Sequence, residues 1–161
     1  MQKLLGPRER LHDVWEIAVT AFMGMSVSFL DKTESPIEQL LGLSIRHLID
    51  ANRDGFEDIV LDLVPQKEIS LDGSNYRLDF LIRTYDFKNK TELFFVVECD
   101  GHQFHEKTKK QAQHDKERDR ILTKHGYRVL RFTGSEIVKD PIKCGYEVIT
   151  AVWDLLKKVG D

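Results

Sequence analysis

Leu93-Phe94-Phe95-Val96-Val97-Glu98-Cys99-Asp100-Gly101 is the stretch that decides the fold. The apolar run, rich in Phe and Val, predicts a core strand, and it ends on two acids. An ionised carboxylate in a core is strongly disfavoured unless it is paired or bound to a metal. Side chains alternate along a strand, so Glu98 and Asp100, two residues apart, share one face. That pattern predicts an oxygen-lined metal site.

Counting along the chain locates a partner carboxylate. Upstream lies Tyr76-Arg77-Leu78-Asp79-Phe80-Leu81-Ile82, a second strand pattern with Asp79 inside an apolar run. Between the two, Asp86-Phe87-Lys88-Asn89-Lys90-Thr91 has the composition of a hairpin turn. With the turn centred between Lys88 and Asn89, antiparallel partners lie symmetrically about that point, and Asp79 falls opposite Glu98. Facing Cβ atoms are roughly 4.5–5.5 Å apart. Two like charges at that distance in a sheet need a cation between them, or one stays protonated. An all-oxygen donor set favours Mg²⁺ or Mn²⁺ over zinc. The plainer alternatives are an edge-strand acid facing water at Asp79 and a strand end entering a turn at Glu98-Asp100. A register slip of one residue would send Asp79 to the other face.

A length of 161 residues fits one domain with a proper core. Hydrophobic content of 41% and charged content of 32% fit a globular rather than a disordered chain. The longest apolar stretch, Ile17 to Leu30, contains Thr20, Ser26 and Ser28 and is too short to span a bilayer, so no membrane association is expected. The N-terminus carries no signal-peptide pattern. Cys99 and Cys144 are too few for a disulfide scaffold or a four-cysteine zinc site, and the expected location is a reducing cytoplasm. A net charge of −3 excludes a uniformly basic protein but not a nucleic-acid partner. Charge is uneven: from Glu106 to His125 seven Lys or Arg face four acids, a bias that a solvated helix face would also produce.

Outward from the centre, a first helix is expected over Pro7 to about Phe29, its apolar second half packing on the main domain or forming a dimer contact. Ser35-Pro36-Ile37-Glu38 starts a second helix, with Ser35 as cap, Pro36 at the first position and Glu38 completing a capping box. Leu61 to Ser70, containing Pro65, predicts an edge strand, and Asp72-Gly73 turns the chain into the Asp79 strand. After the Glu98 strand comes a charged helix stopped near His125-Gly126. Its inner face is apolar at Leu122 and polar toward the site, through Asp119 or Arg118 and Asp115. Tyr127 to Phe132 predicts a strand parallel to an earlier one, and Pro141 to Val159 a final helix.

With these pieces assembled, the chain resembles the restriction-endonuclease-like PD-(D/E)xK superfamily, in the branch related to very-short-patch-repair (Vsr) endonucleases. The resemblance covers about residues 35–138. It is carried by Ser35-Pro36-Ile37-Glu38, the Gln66 strand, Arg77-Leu78-Asp79-Phe80, Val97-Glu98-Cys99-Asp100-Gly101 with His105, Asp115 to Asp119, and Gly126 to Phe132. It implies an α/β fold with a central four-stranded mixed sheet flanked by helices. Residues 1–34 form a helical extension outside the resemblance, 35–138 the nuclease-like core, and 139–161 a helix packing on it.

The resemblance also implies Mg²⁺- or Mn²⁺-dependent cleavage of DNA, in repair, restriction or mobile-element processing. Asp79 and Glu98 would be metal ligands, joined by the Cys99 carbonyl, with Glu38 completing the acidic cluster or serving only its helix start. Many superfamily members carry lysine where this chain has Asp100; Asp100 would be a further ligand, or the positive charge would come from Lys107 or Lys116, and the departure bears on the general base and on activity. The general base then falls to His102 or His105, with His105 preferred. Lys107, Lys116, Arg118 and Arg131 would contact phosphates. A homodimer would be the simplest route to a double-strand cut. The competing expectation is a catalytically inactive module that keeps the scaffold and binds nucleic acid or a partner.

Overall fold

The computed structural model describes residues 28–52, 58–101 and 109–160. Of the expected first helix only 28–30 are described, and they are helical. Contacts divide the chain into two compact units, Met1–Lys32 and Thr33–Asp161, and the second holds the sheet. Its elements run α1 (Pro36–Ala51), β1 (Ile59–Leu71), β2 (Ser74–Asp86), β3 (Thr91–Asp100), α2 (Lys109–Lys124), β4 (Tyr127–Thr133), α3 (Gly134–Lys139) and α4 (Pro141–Gly160). The sheet order is β1-β2-β3-β4, with β1–β2 and β2–β3 antiparallel and β3–β4 parallel. The fold is therefore α/β, a four-stranded mixed sheet flanked by helices, as expected. The short α3, opened by a complete capping box between Thr133 and Glu136, is an addition to the expected order.

Two turns set the register. Asp72 and Gly73 both take positive φ (47° and 80°), the backbone of a two-residue hairpin loop whose twist matches the strands it joins. At the next turn the Asp86 carboxylate accepts from the Asn89 backbone N–H at 3.0 Å and from its side-chain amide at 2.8 Å. These bonds centre the turn between Lys88 and Asn89, so Asp86 pairs with Thr91 and the ladder runs regularly to Phe80 opposite Val97. The ladder stops there, one step short of the expected pair Asp79 and Glu98.

β2 and β3 are buried on both faces, which explains their continuous apolar runs. On one face Leu81 and Val96 join Leu122 of α2, with Val64, Phe94 and Val129 packed around them. Phe80, Ile82, Phe95 and Val97 alternate with that set and are also buried. α1 buries Leu41, Ile45 and Leu48, and α4 buries Val148, Ile149, Val152 and Leu156. The two helices pack on one another, α1 also touching β1 and α4 touching β3. Their seam is close at Gly145, where a Cβ would meet the Ser44 hydroxyl and lie 2.9 Å from Leu48 Cδ1.

One irregularity interrupts the sheet. Pro65 pairs with Phe80 and Lys67 with Leu78, but Gln66 and Asp79 between them do not pair. Gln66 has φ +49°, a left-handed conformation rare for a residue with a side chain. Leu78 and Leu81, three apart, join the same apolar cluster, so strand alternation slips at Asp79. The edge strand was expected from Pro65; the break falls one residue later.

Candidate active site

Where the β1–β2 ladder opens, the Asp79 carboxylate turns to β3 and its Oδ2 accepts from the Cys99 backbone N–H at 2.8 Å. That bond ties the end of β3 to the second strand through a side chain instead of a ladder bond. Burial is the main influence that pushes the Asp79 carboxyl up to about 7, followed by the charge of Glu98, with Glu38 adding to it. The Cys99 N–H and Arg118 oppose the rise without cancelling it. The Cys99 thiol is likewise raised, first by burial and then by Asp79, Glu38, Glu98 and Asp100. Four acids from three elements thus act on one point at the end of β3.

Glu38 reaches this cluster from the first turn of α1. Ser35 caps the helix in extended backbone, accepting from the Glu38 N–H at 3.3 Å and donating from its hydroxyl to Glu38 Oε1 at 2.7 Å. The reciprocal bond of the expected capping box is replaced: Glu38 Oε2 accepts from the Glu34 backbone N–H at 2.9 Å and from Gln66 Nε2 at 2.8 Å. The side chain therefore serves the helix start and the sheet together. Glu38 is buried, and so is Glu98.

On the opposite flank, guanidinium groups answer the acids. Arg118 of α2 grips both Glu98 oxygens, at 2.9 and 2.8 Å, and donates to the Arg77 carbonyl at 2.7 Å. Arg131, beside Glu98 in the parallel ladder, donates to both Asp119 oxygens at 3.1 and 2.7 Å and to Asp100 at 3.2 Å. Burial works against the Arg131 charge, but its bond to Asp119 and the nearby acids raise its pKa overall. Of the expected phosphate contacts, Arg118 and Arg131 are therefore engaged with acids, and Lys116 is exposed on α2. His102, His105 and Lys107 lie outside the described residues.

Among the described residues no three His, Cys, Asp or Glu side chains converge closely enough to hold a metal ion. The donor set nonetheless fits a hydrated hard cation in chemistry. The Asp79 carboxyl accepts from a neutral backbone N–H, and Gln66 Oε1 is a buried oxygen with no partner among the described residues. Two features of this site escape a reading of the sequence. Gln66 could have been found by counting from the Asp72-Gly73 turn, which sets it opposite Asp79. The Arg118–Glu98 pair was signalled only by the polar end of the α2 inner stripe.

The sheet, its flanking helices and an acid cluster at the end of a central strand define a restriction-endonuclease-like domain. The model of the family REase_MTES_1575, a restriction-endonuclease-like family, matches residues 56–152, and the chain belongs to that family. Membership points to nuclease chemistry. No curated protein and no solved structure matches the chain.

Proposed function

We propose that this chain is a metal-dependent deoxyribonuclease that hydrolyses phosphodiester bonds, in the Vsr-related branch of its superfamily. The observation that carries the reading is the gathering of Asp79, Glu98, Asp100 and Glu38 around Cys99, whose backbone N–H the Asp79 carboxylate accepts. Asp79 and Glu98 would hold Mg²⁺ or Mn²⁺, with the Cys99 carbonyl or Asp100 as further oxygens. When bound, such an ion supplies the charge that lowers the pKa of water and steadies the phosphoryl oxygens. The water oxygen joins phosphorus, the bond from phosphorus to the 3′ oxygen breaks, and protons pass from the water to solvent and from solvent to the leaving oxygen.

The residues of the chain supply placement. The Cys99 N–H fixes one Asp79 oxygen, and Glu38 is held by Ser35, Glu34 and Gln66. Arg118 keeps Glu98 oriented, and a phosphate nearby would compete for that guanidinium. Lys116 and Lys107 are left for backbone phosphates, and His105 for the proton. We place the activity in the cytoplasm, in DNA repair, restriction or mobile-element processing, with a homodimer for double-strand cuts. The test is nicking of plasmid DNA with Mg²⁺ or Mn²⁺: Asp79→Ala and Glu98→Ala should each lose at least about a hundredfold in rate. Undiminished cleavage by both variants would reject the reading.

A second reading is favoured by one observation, the double grip of Arg118 on Glu98. A carboxylate so neutralised suits a non-catalytic nucleic-acid-binding module. That protein would bind DNA in a salt-sensitive, EDTA-insensitive way and cleave none of the duplex, single-strand, mismatch or branched substrates offered.

A further inference from the structure

We infer that Gln66 is a positioning residue of this site: its amide nitrogen fixes Glu38, and its amide oxygen holds a water at the edge of the acid cluster. The inference rests on the nuclease reading above and adds a residue to which that reading gives no role toward water.

Three independent features converge on this side chain. The first is backbone conformation. At φ +49° Gln66 occupies a region that side-chain-bearing residues avoid, and such outliers persist only where the surroundings hold them. The second is position. Gln66 stands opposite Asp79 at the one place where the β1–β2 ladder opens, between the pairs Pro65–Phe80 and Lys67–Leu78. The third is hydrogen bonding. Nε2 donates to Glu38 Oε2 at 2.8 Å, while Oε1 is buried and accepts from no described group.

The amide orientation follows from its partner. Rotating the group would set Oε1 against a carboxylate oxygen, two acceptors face to face, so the bond to Glu38 fixes which end is which. A buried amide oxygen left without a donor is costly, and it calls for an O–H or N–H. Glu38 meets this amide through Nε2, and among the described residues no N–H or O–H reaches Oε1. Water fits the requirement: small, able to donate to Gln66 Oε1 and to a carboxylate at once. Held in that way by its two O–H groups, it keeps both lone pairs, one of which can face a phosphorus atom.

The left-handed turn is what makes this reach available. It opens the ladder at Gln66 and Asp79 together, so one residue can touch α1 while its neighbour across the sheet touches β3.

The test has two arms. A high-resolution crystal structure of the metal-free wild-type chain should show an ordered water within hydrogen-bond distance of Gln66 Oε1; a protein group donating there, or an empty density map, overturns the inference. In Mn²⁺-dependent plasmid nicking, Gln66→Met keeps side-chain length but loses both amide contacts. It should lower kcat about a hundredfold while KM stays within about threefold. Gln66→Gly, which accepts the left-handed backbone freely, should do the same and covers the case in which the methionine variant fails to fold. A kcat within threefold of wild type in the folded variants, beside an inactive Asp79→Ala, overturns the role of Gln66 and leaves the nuclease reading intact. A wild-type chain that cleaves nothing with Mn²⁺ overturns both.

Discussion

The two flanks of the acid cluster solve the same electrostatic problem in opposite ways. Toward α2 and β4, three acids each have a guanidinium: Glu98 has Arg118, and Asp100 and Asp119 share Arg131. Toward α1 and β1, Glu38 and Asp79 accept, among the described residues, hydrogen bonds from neutral donors alone, namely a hydroxyl, an amide and backbone N–H groups. Hydrogen bonds from neutral groups orient a carboxylate but supply no net charge. The paired flank is built to hold its shape in the absence of ligand. The unpaired flank keeps an unmet demand for positive charge, and there an incoming cation gains most.

The sharpest way to break this contrast is to remove the cation from the paired flank. Arg118→Met leaves Glu98 buried and uncompensated, and breaking such a pair typically costs about 3 kcal/mol or more. Urea unfolding of the metal-free protein should show that loss, and adding Glu98→Gln to the same chain should restore most of it. A double variant as unstable as the single one would mean that Arg118 acts through packing alone.

On the unpaired flank the sign is reversed. The Asp79 carboxyl titrates near 7 in the folded chain against an ordinary 3.8, so the fold favours its protonated form. Its contribution to stability is fully present below pH 3.8 and is lost as pH rises through 7. Asparagine cannot ionise. Metal-free Asp79→Asn should therefore exceed the wild type by on the order of 4 kcal/mol at pH 8 and come close to it near pH 4. An offset of the same size at both pH values would contradict the contrast. The same titration makes Mn²⁺ binding by the wild type tighten as pH rises toward 7, which calorimetry across that range can follow.

The smallest effect sharpens the comparison instead of breaking it. Ser35→Ala removes the cap of α1 and one of the neutral donors on Glu38, at a cost of about 1 kcal/mol in thermal unfolding. If Glu38 belongs to the working site, nicking should slow by more than that loss of stability explains.

Much of this architecture was legible because local chemistry fixes it. Asp72-Gly73 and Asp86 to Thr91 carry turn residues whose backbone and side-chain preferences allow only one register, so the pairing of β2 with β3 as far as Phe80 opposite Val97 followed from counting. Gly126, at φ +85°, ends α2 where a residue without Cβ is needed. The parallel placement of β4 followed from the helix that separates it from β3. What remained hidden was long-range partnership. Nothing in the pattern around Arg118 says that it will grip Glu98, twenty residues earlier, because a polar residue on a helix face looks the same whether it meets water, phosphate or an acid. Gln66 was hidden for a different reason: its left-handed backbone contradicts its local propensity and arises from the tertiary setting. α3 was too short to leave a periodic signal.

The seam at Gly145 has a reach beyond its own neighbourhood. Ser44, which its missing side chain admits so closely, also donates to the Pro141 carbonyl at 2.7 Å, pinning mid-α1 to the start of α4. Glu38 rides on the same rigid rod, fewer than two turns away. A single methyl at position 145 would act as a wedge under that rod, and the displaced end would be the one that carries the acid. In the proposed nuclease, the placement of an acid would thus depend on a helix that contributes none of the proposed site residues.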